Sequence, residues 1–187
     1  PKNVDEYWQH LPNLPDQEPQ KQIDNPAWHI HRGEPPHEDA HLSYSILLNL
    51  ASVCHTEDKS VLWHFISRYR PDATAETAPI LDGVVERAIN YYQDFIKPHK
   101  KYRVATTNEQ AAIQDLRAAL DGLALGAAAE DIQTEVYEIG KRHEFENLRD
   151  WFRCLYEVLL GQEQGPRMGS FIALYGLDEM KDLLDRA

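Results

Sequence analysis

An all-α fold is the class this sequence predicts, and three observations carry it. Apolar residues recur at helical spacing through most of the chain after residue 40. The segments that repeat this pattern are separated by short loops bearing Gly and Pro, and no segment reads as a sheet strand. Hydrophobic residues make up 42% of the 187 positions, enough for a buried core. We therefore expect a helical cage or bundle of about seven or eight helices, preceded by a Pro-rich N-terminal arm.

The arm comprises residues 1–40. It carries Pro12, Pro15, Pro19, Pro26, Pro35 and Pro36 among polar residues, with a short aromatic start at Tyr7 and Trp8. Ala27 to His31 alternates apolar and polar side chains as an extended segment would, so Trp28 and Ile30 are expected to pin an irregular arm to the core. From His41 onward the first helix places Ile46, Leu47, Leu50, Val53 and Cys54 on one face. A second spans about 59–69 and stops before Pro71. The third, about 81–97, aligns Leu81, Val85, Ala88, Ile89, Tyr92 and Ile96 and ends at Pro98.

Thr107 with Gln110 three residues on reads as a capping box for the fourth helix, whose inner face is Ile113, Leu116 and Leu120, with Gly122 as a C-terminal cap. The fifth, about 128–142, buries Ile132, Val136 and Ile139. The sixth aligns Phe145, Leu148, Phe152, Leu155 and Leu159 before Gly161, and the two are expected to pair as a hairpin. Two short helices follow, one over 170–175 closed by Gly176, the other opened by Asp178.

Composition narrows the function. No run approaches the roughly 20 apolar residues that cross a bilayer, and the first residues form no apolar signal, so a cytoplasmic protein is expected. Cys54 and Cys154 sit within apolar helical patterns and read as buried free thiols. A start without Met that reads as mid-helix suggests a piece of a longer protein. The net charge of −12 opposes binding of nucleic acid through an overall positive field, so any RNA contact needs a local patch. The run Lys97, His99, Lys100, Lys101 and Arg103, with Tyr102 interleaved, is the obvious candidate; its plainer reading is a solvated loop.

Chemistry-bearing motifs are few. His29, His31, His37 and His41, with Glu38 and Asp39, have the residue types of a transition-metal site, but their spacing fits no template and we assign no metal. GxSxG, P-loop and GxGxxG patterns are absent, and the carboxylates are spread over polar helix faces, so no catalytic residue is assigned. The most unusual stretch runs over 161–176, where Gly161, Gly165, Pro166 and Gly169 build a tight connection beside Arg167. Structurally this is a helix-to-helix turn closed by Phe171, Ile172 and Leu174. Functionally, an Arg, a helix start and an aromatic could serve an unstacked RNA base and its phosphate.

Residues 155–176, LYEVLLGQEQGPRMGSFIALYG, resemble the C-terminal signature of class I lysyl-tRNA synthetases, the bacterial branch in particular. NPAWHIH at 25–31 and LLNLASV at 47–53 resemble the same family in the same order, and residues 1–8 are similar to the stretch shortly after its KMSKS loop. The resemblance implies an anticodon-binding domain over 41–187, with 1–40 leading to a catalytic half that is absent here. The intact ligase would join lysine to its tRNA using ATP and magnesium. This chain lacks the HIGH and KMSKS signatures, so by itself it is expected to be inactive. Its partners would be the lysine tRNA anticodon loop and its own catalytic domain, with neither DNA nor membrane involved. Arg167 and Phe171, supported by Arg149, Trp151 and Arg153, are the candidate base contacts, and Lys100, Lys101 and Arg103 the candidate phosphate contacts. A helical protein-interaction module, or a metal-dependent enzyme using the histidine-rich arm, would be the alternatives.

Overall fold

Helices in this chain begin and end where local caps and partners from elsewhere in the chain meet. The computed structural model describes residues 2–31, 38 and 40–187, and no strand occurs among them. Eleven α-helical segments are present among the described residues, joined in places by 3-10 and π turns. The all-α expectation holds.

The arm is more regular than its prolines suggest. It forms α1 (Lys2–His10), a 3-10 turn (Leu11–Asn13), α2 (Pro19–Gln22) and α3 (Pro26–His31). Pro19 and Pro26 are first residues of their helices, where a missing N–H costs nothing and the fixed φ favours a start. Asn25 opens α3, its side-chain oxygen accepting from the Ala27 amide at 2.9 Å. The expected extended segment at 27–31 is thus a helix: Ala27 is fully buried, Trp28 packs partly on the core, and Ile30 is 62% exposed rather than a pin. Helices of four to nine residues are too short to display a period, which is why the pattern read as irregular.

The arm also supplies caps at a distance. In α4 (Tyr44–Cys54) the N-cap Ser43 makes no side-chain capping bond, and Asp5 of α1 accepts from the Tyr44 amide at 2.7 Å instead. After α5 (Lys59–Tyr69), opened by Asp58, α6 (Pro79–Tyr91) follows an Ala78 N-cap that has no capping atom. There the Glu38 carboxylate accepts from the amides of Ile80 and Leu81, both at 2.8 Å. An anionic acceptor at a helix N-terminus satisfies orphan donors and complements the dipole. Trp8, Leu11, Leu14 and Ala27 join the same core as Leu47, Leu50, Leu62 and Val85.

The third predicted helix changes form part-way. α6 passes into a π turn (Tyr92–Ile96) and a 3-10 turn (Lys97–His99). α7 (Thr107–Asp121) has its capping box one residue earlier than expected, between Thr106 and Glu109, and Gly122 ends it at a right-handed φ of −79°. α8 (Ala129–Arg142) meets α9 (Leu148–Leu155), but its most extensive partner is α10 (Met168–Tyr175), so the expected hairpin is one side of a three-helix contact. Gly169 makes that contact possible, since a Cβ there would overlap the Ala129 carbonyl, and its amide donates to Gln133 Oε1 at 2.8 Å. α9 passes into a second π turn (Tyr156–Leu160) ended by Gly161 at φ 68°. α11 (Leu177–Leu184) starts directly after Gly176, which replaces the expected Asp178 as its N-cap. No helix among the described residues is long and apolar enough to cross a membrane.

Candidate nucleic-acid interface

The two π turns pack against the same helix, α4, and each delivers a loop to its C-terminal half. There the polar side chains of Asn49 and Ser52 are buried and require partners. The loop after the first π turn sends in Lys100, whose ammonium donates to the Ser52 carbonyl at 2.9 Å. The loop after the second sends in Gln162, whose Nε2 donates to Ser52 Oγ at 3.2 Å and Asn49 Oδ1 at 3.3 Å. The loops are joined directly by the Lys101 amide donating to the Gly161 carbonyl at 2.9 Å. Gly161 lies flat against the Tyr102 ring, 3.1 Å from where its Cβ would stand. Its left-handed φ and this close approach both favour glycine.

Between these loops lies a groove of about 630 Å³, bordered by Phe95, Lys100, Lys101 and Tyr102 on one side and by Gly161 to Gln164 on the other. Phe95 is 60% exposed and Tyr102 51% exposed, so two aromatic side chains stand partly open beside cations. Lys100 Nζ sits 5.0 Å from the Tyr102 ring centre and 5.9 Å from that of Tyr92. Burial pushes this ammonium down to about 8. Lys101 is exposed.

A second groove of about 520 Å³ adjoins the first and shares Glu163 and Gln164 with it. Arg149, Phe152, Arg153 and Tyr156 line its far side. The Tyr156 hydroxyl donates to the Pro166 carbonyl at 2.8 Å, and its ring fills the space a Cβ on Gly165 would need. Five cations (Lys100, Lys101, Arg103, Arg149, Arg153) and three carboxylates (Asp150, Glu157, Glu163) border the two grooves. A local excess of positive charge therefore exists on a chain whose net charge is −12.

These cations are not equivalent. Arg103 binds Glu109 through two hydrogen bonds of 2.7 and 2.8 Å and also pairs with Glu157, tying the start of α7 to the second π turn. The Arg103 guanidinium holds the Glu109 carboxyl down at about 2, and Glu109 in turn raises the Arg103 pKa. Arg153 pairs with Asp150 within α9. Arg149 is exposed, and among the described residues its guanidinium has no carboxylate partner.

Three candidates from the sequence lie elsewhere. Trp151 is fully buried and donates through Nε1 to the Val136 carbonyl at 2.9 Å. Phe171 is also fully buried, stacked on Tyr175 at 5.5 Å. Both rings are closed to a base, because helix periodicity marks a face as apolar whether it meets protein or ligand. Arg167 is exposed but caps α10 and pairs with Glu130 of α8 at 2.9 Å, outside both grooves. The sequence names Tyr102 only as the aromatic interleaved in the basic run, and nothing in the chemistry of Phe95 or Gln162 singles them out. An aromatic at the solvent end of a helix, just before a basic run, was the available signal for Phe95.

The histidine-rich arm disperses. His29 bonds the Ile23 carbonyl, His31 the Tyr7 hydroxyl, and His41 stacks on Trp8, while His37 and Asp39 lie outside the described residues. Cys154 is buried and Cys54 half-buried, both free, with burial pushing each thiol up to about 12.

No protein-family model matches the chain. Comparison with curated proteins gives long alignments. The chain is similar to lysine–tRNA ligases. Those of Rickettsia peacockii (strain Rustic) and Rickettsia massiliae (strain Mtu5) are 48% identical over 191 aligned residues, and that of Rickettsia bellii (strain OSU 85-389) 47%. Each alignment covers 99% of this chain but only 36% of the relative, so the chain spans about a third of the proteins it matches.

Proposed function

We propose that this chain is the anticodon-reading part of a class I lysine–tRNA ligase. The observation that carries the reading is the paired groove: partly exposed aromatic side chains, unpaired cations and the 161–165 turn meet at one place, within a chain whose relatives are lysine–tRNA ligases. Unstacked loop bases would lie on Phe95 and Tyr102, since stacking on aromatic planes is how proteins hold single-stranded RNA. Lys101 and Arg149, both exposed, would meet phosphates, and Lys100 would add charge beneath the Tyr102 ring. Arg103 and Arg153, held by carboxylates, would shape the groove walls and offer only their remaining N–H groups.

The whole ligase would activate lysine with ATP and magnesium and transfer it to tRNA in the cytoplasm, serving protein synthesis. Those steps would belong to the part of the relatives' length not covered here, and this chain alone is proposed to recognise RNA without charging it. The test is the affinity of this chain, at two salt concentrations, for a lysine anticodon stem-loop and for a loop with the anticodon bases replaced. Tighter binding of the lysine loop, lost with Phe95→Ala and Tyr102→Ala, is expected; equal binding of both loops refutes the reading.

A further inference from the structure

The turn between the two grooves is held firmly on both flanks and left open at its tip. On one flank Gly161 is tied to Lys101 and Gln162 is anchored in the polar pocket of α4. On the other, Gly165 lies against Tyr156, whose hydroxyl holds the Pro166 carbonyl. Between them Glu163 and Gln164 are exposed and border both grooves. Among the described residues neither side chain has a hydrogen-bond or ion-pair partner. Polar groups on a rigid support, free of protein partners and flanked by ligand-sized grooves, are arranged for recognition, because little ordering cost remains on binding.

We infer that Glu163 and Gln164 form the base-edge reader of the RNA site, with the flanking grooves holding the stacked rings and the phosphates. This rests on the RNA reading above and adds the element that discriminates between bases. The charges decide the orientation. A carboxylate at the tip repels phosphate, so the strand must cross it with bases inward and phosphates toward Lys101 and Arg149. Glu163 offers acceptors only, whereas the Gln164 carboxamide offers both a donor and an acceptor. Uracil, with one Watson–Crick N3–H donor between two carbonyl acceptors, meets that pair as N3–H to the carboxylate and carbonyl to the carboxamide N–H.

The test compares a lysine anticodon stem-loop with the same loop carrying 3-methyluridine at its anticodon uridines, a change that retains the ring for stacking but removes the N3–H. The wild-type chain is expected to bind the methylated loop about tenfold or more weakly, the scale of a hydrogen bond to a charged group. In the double variant Glu163→Ala/Gln164→Ala that difference should vanish, while Glu163→Gln, which keeps an acceptor, should retain part of it. Thermal melting, expected to be unchanged for an exposed tip, confirms that the variants are folded. If wild type prefers the lysine loop over one with replaced bases but ignores methylation, or if the double variant keeps the full difference, the reader is refuted and the RNA site stands. If wild type binds no loop, both fall.

Discussion

Glu109 joins two structural roles, and replacing it with Gln separates them. Its carboxylate closes the capping box of α7 by accepting from the Thr106 amide at 2.8 Å, and it holds Arg103, which reaches on to Glu157. Gln can still close the box, so Glu109→Gln removes the charge while keeping the cap. A carboxyl lowered from its ordinary 4.5 to about 2 corresponds to roughly 3 kcal/mol of stabilisation as an upper bound. Arg103's side chain is 35% exposed, so solvent screening brings the expected loss to about 1–2 kcal/mol. Because the folded pKa lies below the unfolded one, this contribution is fully present above about 4.5 and is lost as pH falls toward about 2. Urea unfolding of both proteins over a pH series should show a gap that is constant near neutrality and narrows below about 4.5. A gap absent at neutral pH, or unchanged through that window, would refute the assignment of Arg103 as an internal tie.

Other expectations follow from the same geometry. Trp151→Ala should cost about 3–5 kcal/mol in chemical denaturation, since a core ring and the Val136 carbonyl's donor are both lost; a near-neutral result would mean the ring is not enclosed. Lys100 has a folded pKa near 8 against an ordinary 10.5, so wild-type stability relative to Lys100→Met should rise as pH climbs through that interval, measured by thermal melting. Lys101→Glu should weaken stem-loop binding and reduce the slope of log affinity against log salt by about 0.7 or more, whereas Arg167→Ala, whose ion pair lies outside both grooves, should change affinity by less than about twofold. The reverse ranking in an anisotropy titration would move the site to the start of α10.

Trp151 and Arg149 show how differently neighbouring residues submit to sequence reading. Two positions apart on α9, both were candidates for RNA contact, yet one is enclosed between α8 and α9 and the other faces a groove. The helical period located the apolar face but not the element that covers it. The capping box of α7 was misplaced by one residue because Thr106 and Thr107 offer the same hydroxyl, and only backbone geometry selects Thr106. Asp5 and Glu38 could not be recognised as caps at all, since the first amides they accept from lie 39 and 42 residues later in the chain.

What the sequence determined by itself is whatever depends on near neighbours. Apolar spacing placed the helices after residue 40, glycine at 161 marked a left-handed end, and the run 155–176 carried a likeness to lysine–tRNA ligases that the comparisons also find. What only the tertiary structure decided is which charges remain free and where the grooves lie. Arg103 and Arg149 look alike as letters; one is bound by two carboxylates and the other by none among the described residues. The candidate site joins residues 95–103 to 149–165 through buried polar groups on α4, and such pairings depend on how helices cross, a geometry that no local period encodes.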